Sequence, residues 1–277
     1  MIGRLARCLP YLLPLVLVWA SAGMAAGGQL SVISFNVESD RDTDPRKVAG
    51  DITQIGKDAD LFGLAEVESE KDAETYRRAA EKTGAPFGKV FARHGDRDRL
   101  VILYNRNTLT FQGARELERF PGSRKALVGR FVHKASAIEF LFIVNHFNRR
   151  DGKRRRRQAE LIRDWVLKQP LPAVLTGDHN FDFDPRTMQG NRAFEVFNAS
   201  PDLLWVRPEC LKAGDCPPNG TQCDQRFNSI MDMVLIADKG RGWWAISDVL
   251  LKRADYCARE RKGWADHRPV AAVIAIR

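Results

Sequence analysis

Six short apolar runs recur along this chain, and almost every one delivers an acid, an amide or a histidine at one end. Residues 30–35 lead into Asn36 and, two on, Glu38; residues 59–65 lead into Glu66. Residues 137–144 end at Asn145-His146, and 171–175 run into Thr176-Gly177-Asp178-His179-Asn180. The run 230–236 holds Asp232 near its start, and Asp266-His267 precedes the last run, 270–276. Each run is five to eight residues long and mostly apolar, and 30–35 is rich in β-branched residues, which predicts buried strands.

Between the runs lie helical signals. Asp44-Pro45 predicts an N-cap with proline at the first helical position, followed by Val48, Ile52 and Ile55 at helical spacing. Ser69 caps a second charged helix that Gly84 ends. Residues 149–157 open a third, with Ala159, Leu161, Ile162, Trp165 and Val166 behind them, and 194–197 predict a short fourth. Runs at 90–91, 100–104, 109–117, 127–132 and 244–251 read as further strands. Strands and helices interleave without repeat or low-complexity linker, so the expected fold class is α/β, with residues 27–277 as a single domain.

The first twenty-six residues are set apart. Arg4 and Arg7 precede an apolar stretch, 9–20, and small residues follow with cleavage expected after Ala25 or Ala26, the pattern of a signal peptide. The stretch is short for a membrane-crossing helix. An exported chain is expected in the periplasm or outside the cell. Beyond the leader lie Cys210, Cys216, Cys223 and Cys257, which predict two disulfides in one of three pairings and a stapled surface loop. Their spacings lack the close pairs that a zinc knuckle needs.

Asp178 and Asn180 alone could be an Asx turn closing a strand. Eight polar residues at strand ends point instead to one site, since α/β proteins keep their chemistry there. A carboxylate two residues from an amide suits a phosphoryl site: Asp178 takes a proton or orients water while Asn180 donates to the phosphate. Oxygen ligands such as Asn36, Glu66 and a further aspartate suit a hard cation, Mg²⁺ or Mn²⁺. His146 and His267 would each need an acid to fix the tautomer, with Asp232 a candidate for His267. The net charge of +9, or +7 without the leader, and the arginines 149, 150, 154 and 155 favour a polyanion such as DNA or RNA.

Six blocks, in order, carry a resemblance: Ser34-Phe35-Asn36-Val37, Leu64-Ala65-Glu66-Val67, Asn145-His146-Phe147, Gly177-Asp178-His179-Asn180, Met231-Asp232 and Ala265-Asp266-His267-Arg268-Pro269. Together they resemble the endonuclease/exonuclease/phosphatase superfamily, over about residues 30–276. The resemblance implies a four-layer α/β sandwich of two packed mixed sheets between helices. It implies that Glu66, Asn36 and Asp266 serve the metal, with Glu38 a possible second acid. It also implies that Asp178 and Asn180 handle water and phosphate. His267, held by Asp232, would face the scissile phosphate, and His146 the leaving-group side. His179 departs from the family's usual phenylalanine or leucine and either points away or adds a contact. The reaction so implied is metal-dependent phosphodiester hydrolysis; the positive charge, not the resemblance, makes a nuclease with nucleic acid as substrate the first expectation, a monomer with no stable protein partner. A phosphatase, a lipid or inositol-phosphate phosphoesterase, and a silent binding module are the alternatives.

Overall fold

A computed structural model describes residues 27–38, 43–224, 226–253, 255–259 and 262–277. The expected signal peptide lies outside these residues.

The first half of the chain builds one sheet. Strand β1 (Gly28–Asn36) crosses through helix α1 (Pro45–Ile55) to β2 (Leu61–Val67). Asp44 caps α1 as expected, its side chain accepting from the Arg46 amide. Helix α2 (Glu70–Glu81), capped by Ser69, leads to β3 (Phe87–Phe91) and β4 (Arg99–Asn105). The second sheet begins with β5 (Leu109–Glu116), β6 (Leu127–His133) and β7 (Ile138–His146). Helix α3 (Gly152–Lys168) crosses to β8 (Ala173–Phe183), followed by α4 (Arg192–Asn198), β9 (Leu204–Trp205), α5 (Glu209–Ala213) and β10 (Ile230–Ala237). Strands β11 (Trp244–Val249) and β12 (Val270–Ile276) return to the first sheet.

Both sheets have six strands, in the orders β11-β12-β1-β2-β4-β3 and β5-β6-β7-β8-β10-β9. Each is mixed: β1 and β2 run parallel in one, β7 and β8 in the other, and the remaining pairs are antiparallel. Their inner faces meet in one core, with Leu30, Val32, Leu61 and Ile102 against Phe140, Phe142, Val144 and Val234. Helices α1 and α2 cover the first sheet through Val48, Ile52 and Tyr76. Helices α3 and α4 cover the second through Ile162, Val166 and Phe197. The layers are helix, sheet, sheet, helix, as the family resemblance implies.

At the polar ends of the strands the sheets approach closely. A β-carbon on Gly63 would lie 2.1 Å from the Thr176 hydroxyl of the facing sheet. The Gly177 amide donates to Ser34 Oγ across the same seam at 2.9 Å. Gly177 also holds φ at +135°, and a β-carbon there would fall 1.9 Å from the Asn145 carbonyl oxygen.

One expectation is corrected here. The strand carrying Asp178 does not end at Gly177; β8 continues to Phe183. Its pairing with β10 slips between Ile230 and Asp232, and Asn180 and Asp182 take φ of 48° and 49°. A bulged strand re-aims side chains without ending the ladder, so three polar residues sit inside the sheet rather than in a turn beyond it.

Candidate active site

Strand register assembles the site. In the second sheet, β7 places His146 opposite Asp178 on one side, and β10 places Asp232 opposite it on the other. In the facing sheet, parallel pairing sets Asn36 beside Ala65, so Glu66 follows at the same level. Glu66 sits in a β2–β4 irregularity at φ 57°. Asn36 Nδ2 lies 2.8 Å from Glu66 Oε1 and 3.3 Å from Asp178 Oδ2, joining the sheets through side chains. His267 enters from the segment before β12, the strand that borders β1.

Two histidine–aspartate pairs flank Asp178. His267 Nδ1 lies 2.7 Å from Asp232 Oδ2, while its Nε2 is 4.0 Å from Asp178 Oδ2 and 3.6 Å from Asp266 Oδ1. His146 Nδ1 lies 3.2 Å from Asp98 Oδ1, while its Nε2 is 3.4 Å from Asp178 Oδ2 and 3.6 Å from Glu66 Oε1. A carboxylate on Nδ1 fixes the proton there and turns Nε2 toward the site.

Asp98 is a residue the sequence reading missed. It stood only in a charged loop, 48 positions from His146. Arg124 was missed with it. Arg124 pairs with Asp98 and donates to the carbonyl oxygens of His146 and Phe147 at 3.4 and 3.3 Å. Nothing in either local spelling signals the partnership.

Electrostatics follow from these contacts. Burial opposes the charged form of His267, but Asp232 and Asp266 outweigh it and hold its pKa well above the ordinary imidazole value. Burial and Arg124 likewise oppose a charge on His146, and Asp98 with Asp178 reverses them, raising its pKa. Asp178 is fully desolvated, yet His146 and His267 hold its pKa below the usual carboxylate range. Burial wins at Glu66, whose pKa is pushed up, and at Asp232, whose pKa burial raises to about 6 despite the neighbouring His267.

Glu66, His146 and Asp178 each offer a ligand atom, and these atoms lie within 4.8 Å of one another. Two carboxylates and an imidazole are ligands that divalent cations accept. Burial raises the Glu66 pKa by penalising its charged form, and an adjacent cation would favour that form. The donor set therefore fits a divalent metal ion. Asp266 lies outside that trio, with Oδ2 accepting from Gln222 Nε2 at 2.9 Å. Glu38 bridges the two groups: its amide donates to Asn36 Oδ1 at 3.0 Å, and its Oε2 accepts from the Asp266 amide at 2.7 Å.

Asn180 is buried beside this cluster. Its amide N–H donates to Asp178 Oδ1 at 2.9 Å, and its Nδ2 donates to the Phe147 carbonyl at 3.1 Å. Its Oδ1 is buried and has no partner among the described residues.

His179 does not reach the site. Strand alternation turns it to the opposite face of β8, where its ring meets Phe147, Phe181 and Phe197 at 5.1, 5.1 and 5.9 Å. Both ring nitrogens are buried without a hydrogen-bond partner among the described residues, and burial lowers the pKa to about 4. Unpaired buried polar atoms cost stability. His179→Phe is therefore expected to raise stability by about 1 kcal/mol and to leave turnover within about twofold, as residues outside a site do. Thermal melts and turnover on the same preparation check it; a large loss of turnover would place His179 in the chemistry after all.

The basic stretch splits by role. Arg155 donates to the carbonyls of Asn148 and Arg149 at 3.0 and 2.7 Å and reaches Asp182 at 3.5 Å, so it holds the loop together. Arg149 stays exposed and stacks on Phe227 at 4.4 Å, and Arg154 lies 3.8 Å from Asp151. Arg150, Lys153, Arg156 and Arg192 line a cavity of about 640 Å³ together with Asn191. Asn191 Nδ2 donates to the Asn180 carbonyl at 2.8 Å, which ties the wall of this basic hollow to the backbone of β8.

No protein-family profile and no curated protein matches the sequence. Solved structures do match in shape. An endonuclease/exonuclease/phosphatase family protein from Bacteroides thetaiotaomicron superposes with a TM-score of 0.67 at 20% identity, over 91% of this chain and 99% of that one. A mannosyl-6-phosphatase from Bacteroides thetaiotaomicron gives 0.62 at 17% identity, over 88% and 99%. Danio rerio TDP2 complexed with a single-strand DNA product gives 0.67 at 13% identity, over 89% and 98%. With two mixed six-stranded sheets between helices and these neighbours over nearly its whole described length, the chain has the endonuclease/exonuclease/phosphatase fold.

Proposed function

We propose that the protein is a divalent-metal-dependent phosphodiesterase that hydrolyses nucleic acid by in-line attack of water. The observation that carries this reading is Asp178, an ionised carboxylate held between two histidine–aspartate pairs, with Glu66 and Asn36 facing it from the other sheet. Such a set has no use in a binding module, because buried charges are expensive to keep.

Glu66, with Asn36 or Asp266 beside it, would hold Mg²⁺ or Mn²⁺, which when bound supplies charge neutralisation for the non-bridging phosphate oxygens. Asp178 accepts the proton of the attacking water. The unpartnered Asn180 Oδ1 offers that water a second acceptor. His267, kept cationic by Asp232, faces the charge that develops on the phosphoryl group. His146, fixed by Asp98, protonates the leaving oxygen.

The rim supports a polymeric substrate. Arg149 and the hollow lined by Arg150, Lys153 and Arg192 continue the basic surface away from the reacting centre, where a small ester would leave it unused. The likeness to a mannosyl-6-phosphatase favours the second reading, a phosphatase for a small monoester. Two disulfides, Cys210–Cys216 and Cys223–Cys257, support an exported enzyme, periplasmic or secreted.

A hydrolysis panel on the mature chain with Mg²⁺ or Mn²⁺ tests the reading. Plasmid, single-stranded DNA, RNA, sphingomyelin, inositol phosphates and mannose 6-phosphate form the panel, each with a chelator control. Cleavage of a strand that stops with chelator is expected. Affinity for single strands should fall with salt, and neutralising Arg150, Lys153 and Arg192 should lessen the log–log slope by about 0.7 per cation. Turnover of monoesters alone, with no strand cleaved, would favour the phosphatase.

A further inference from the structure

We infer that residues Thr221, Gln222 and Cys223 form a strap that positions the Asp266–His267 pair, with Gln222 its key side chain and the Cys223–Cys257 disulfide its anchor. The inference rests on the phosphodiesterase reading of the site.

The strap touches both halves of the second histidine–aspartate pair. The Thr221 hydroxyl accepts from the amides of Met231 and Asp232 at 3.0 and 3.2 Å, fixing the backbone that carries Asp232. The Thr221 carbonyl accepts from the Arg268 amide at 2.6 Å, and the Cys223 amide donates to the Asp266 carbonyl at 2.7 Å. Gln222 lies between these two bonds in an antiparallel bridge with His267. The strap thus laces the segment 266–268 to the start of β10 like a short extra strand.

Gln222 contributes the strap's side-chain bond to a site carboxylate, that of Asp266. Its Nε2 donates to Asp266 Oδ2 at 2.9 Å, leaving Oδ1 toward His267 Nε2 at 3.6 Å. Gln222 is 1% exposed and Thr221 fully buried, so water does not substitute for either contact. A carboxylate with one oxygen bonded to a rigid amide has a fixed plane, and that plane sets which oxygen the imidazole meets.

The disulfide closes the lace from behind. Cys257 follows Tyr256, whose hydroxyl donates to the His267 carbonyl at 2.8 Å. Arg268 Nη1 reaches Cys257 Sγ at 3.1 Å. Cys223 and Cys257 therefore hold the segment 266–268 between them. The Cys210–Cys216 disulfide closes a six-residue separation around α5 and touches none of these groups.

The test uses the mature, disulfide-intact chain with Mg²⁺, a single-stranded DNA oligonucleotide and bis(4-nitrophenyl) phosphate. Gln222→Leu is expected to lower kcat on both substrates by about tenfold or more, in line with losses of groups behind a metal or catalytic ligand. KM is expected within about twofold, since Gln222 does not touch substrate. A purely structural role would lower the melting temperature without this split. Cys223→Ala with Cys257→Ala is expected to reproduce the kcat loss, and Cys210→Ala with Cys216→Ala to keep wild-type kcat. If the Cys223/Cys257 variant does not fold, Gln222→Leu decides alone. Wild-type kcat in folded Gln222→Leu overturns the inference while leaving the phosphodiesterase reading intact. A wild-type chain inactive on both substrates overturns that reading instead.

Discussion

Asp178→Asn is expected to lower kcat toward a phosphodiester by at least about 10²-fold, the loss typical of a removed general base. The change keeps the shape and the acceptor for the Asn180 amide, so the strand retains its local bond. It removes the negative charge between His146 and His267, the one carboxylate among the described residues that both imidazoles approach within 4.0 Å. It also turns an N–H₂ toward Asn36 Nδ2, a donor now 3.3 Å away, so the link between the sheets loosens. The measurement is single-turnover and steady-state kinetics on a chain shown to be folded by circular dichroism. A rate within tenfold of wild type would remove Asp178 from the mechanism.

His267→Ala is expected to cost both chemistry and stability. Loss of a preorganised charge facing the phosphoryl group lowers kcat by about 10²-fold or more. Asp232, with no exposed surface and a pKa that burial already raises to about 6, loses the cation that favours its charged form, and breaking a buried pair in this way costs about 3 kcal/mol. Adding Asp232→Asn removes the ionisable carboxyl left without its partner, so the double variant should recover part of the stability and none of the turnover. Urea unfolding measures the first quantity and initial rates the second. Stability that falls further in the double variant would show that Asp232 is ionised for some partner other than His267.

Much of this was legible because strand ends are punctuated. Asn36, Glu66, His146 and Asp178 each close an apolar run, and in a mixed sheet with crossovers such ends gather at one edge. Asp232 was legible as the acid for His267 because one imidazole needs one carboxylate. His179 was not, because parity along a strand decides its face, and a stretch read as lying beyond the strand's end has no parity. Once β8 runs to Phe183, alternation puts Asp178 and Asn180 on one side and His179 on the other. Asp98 and Gln222 were illegible for a different reason. Each supports a residue far away in sequence, and a supporting side chain in a loop carries no periodic signature. The disulfide pairing was open for the same reason, since four cysteines fix a number of bridges and not their partners.

The seam described at Ser34, Gly63 and Gly177 has one more consequence. Asn36 and Glu66 hang from one slab of the sandwich, His146 and Asp178 from the other, so reactivity reports shear between two stacked plates. A slip of an ångström would leave each plate folded and its helices packed, yet would part the amide from the carboxylate it spans. Warming should therefore silence the protein at temperatures where its ultraviolet spectrum still reads as native.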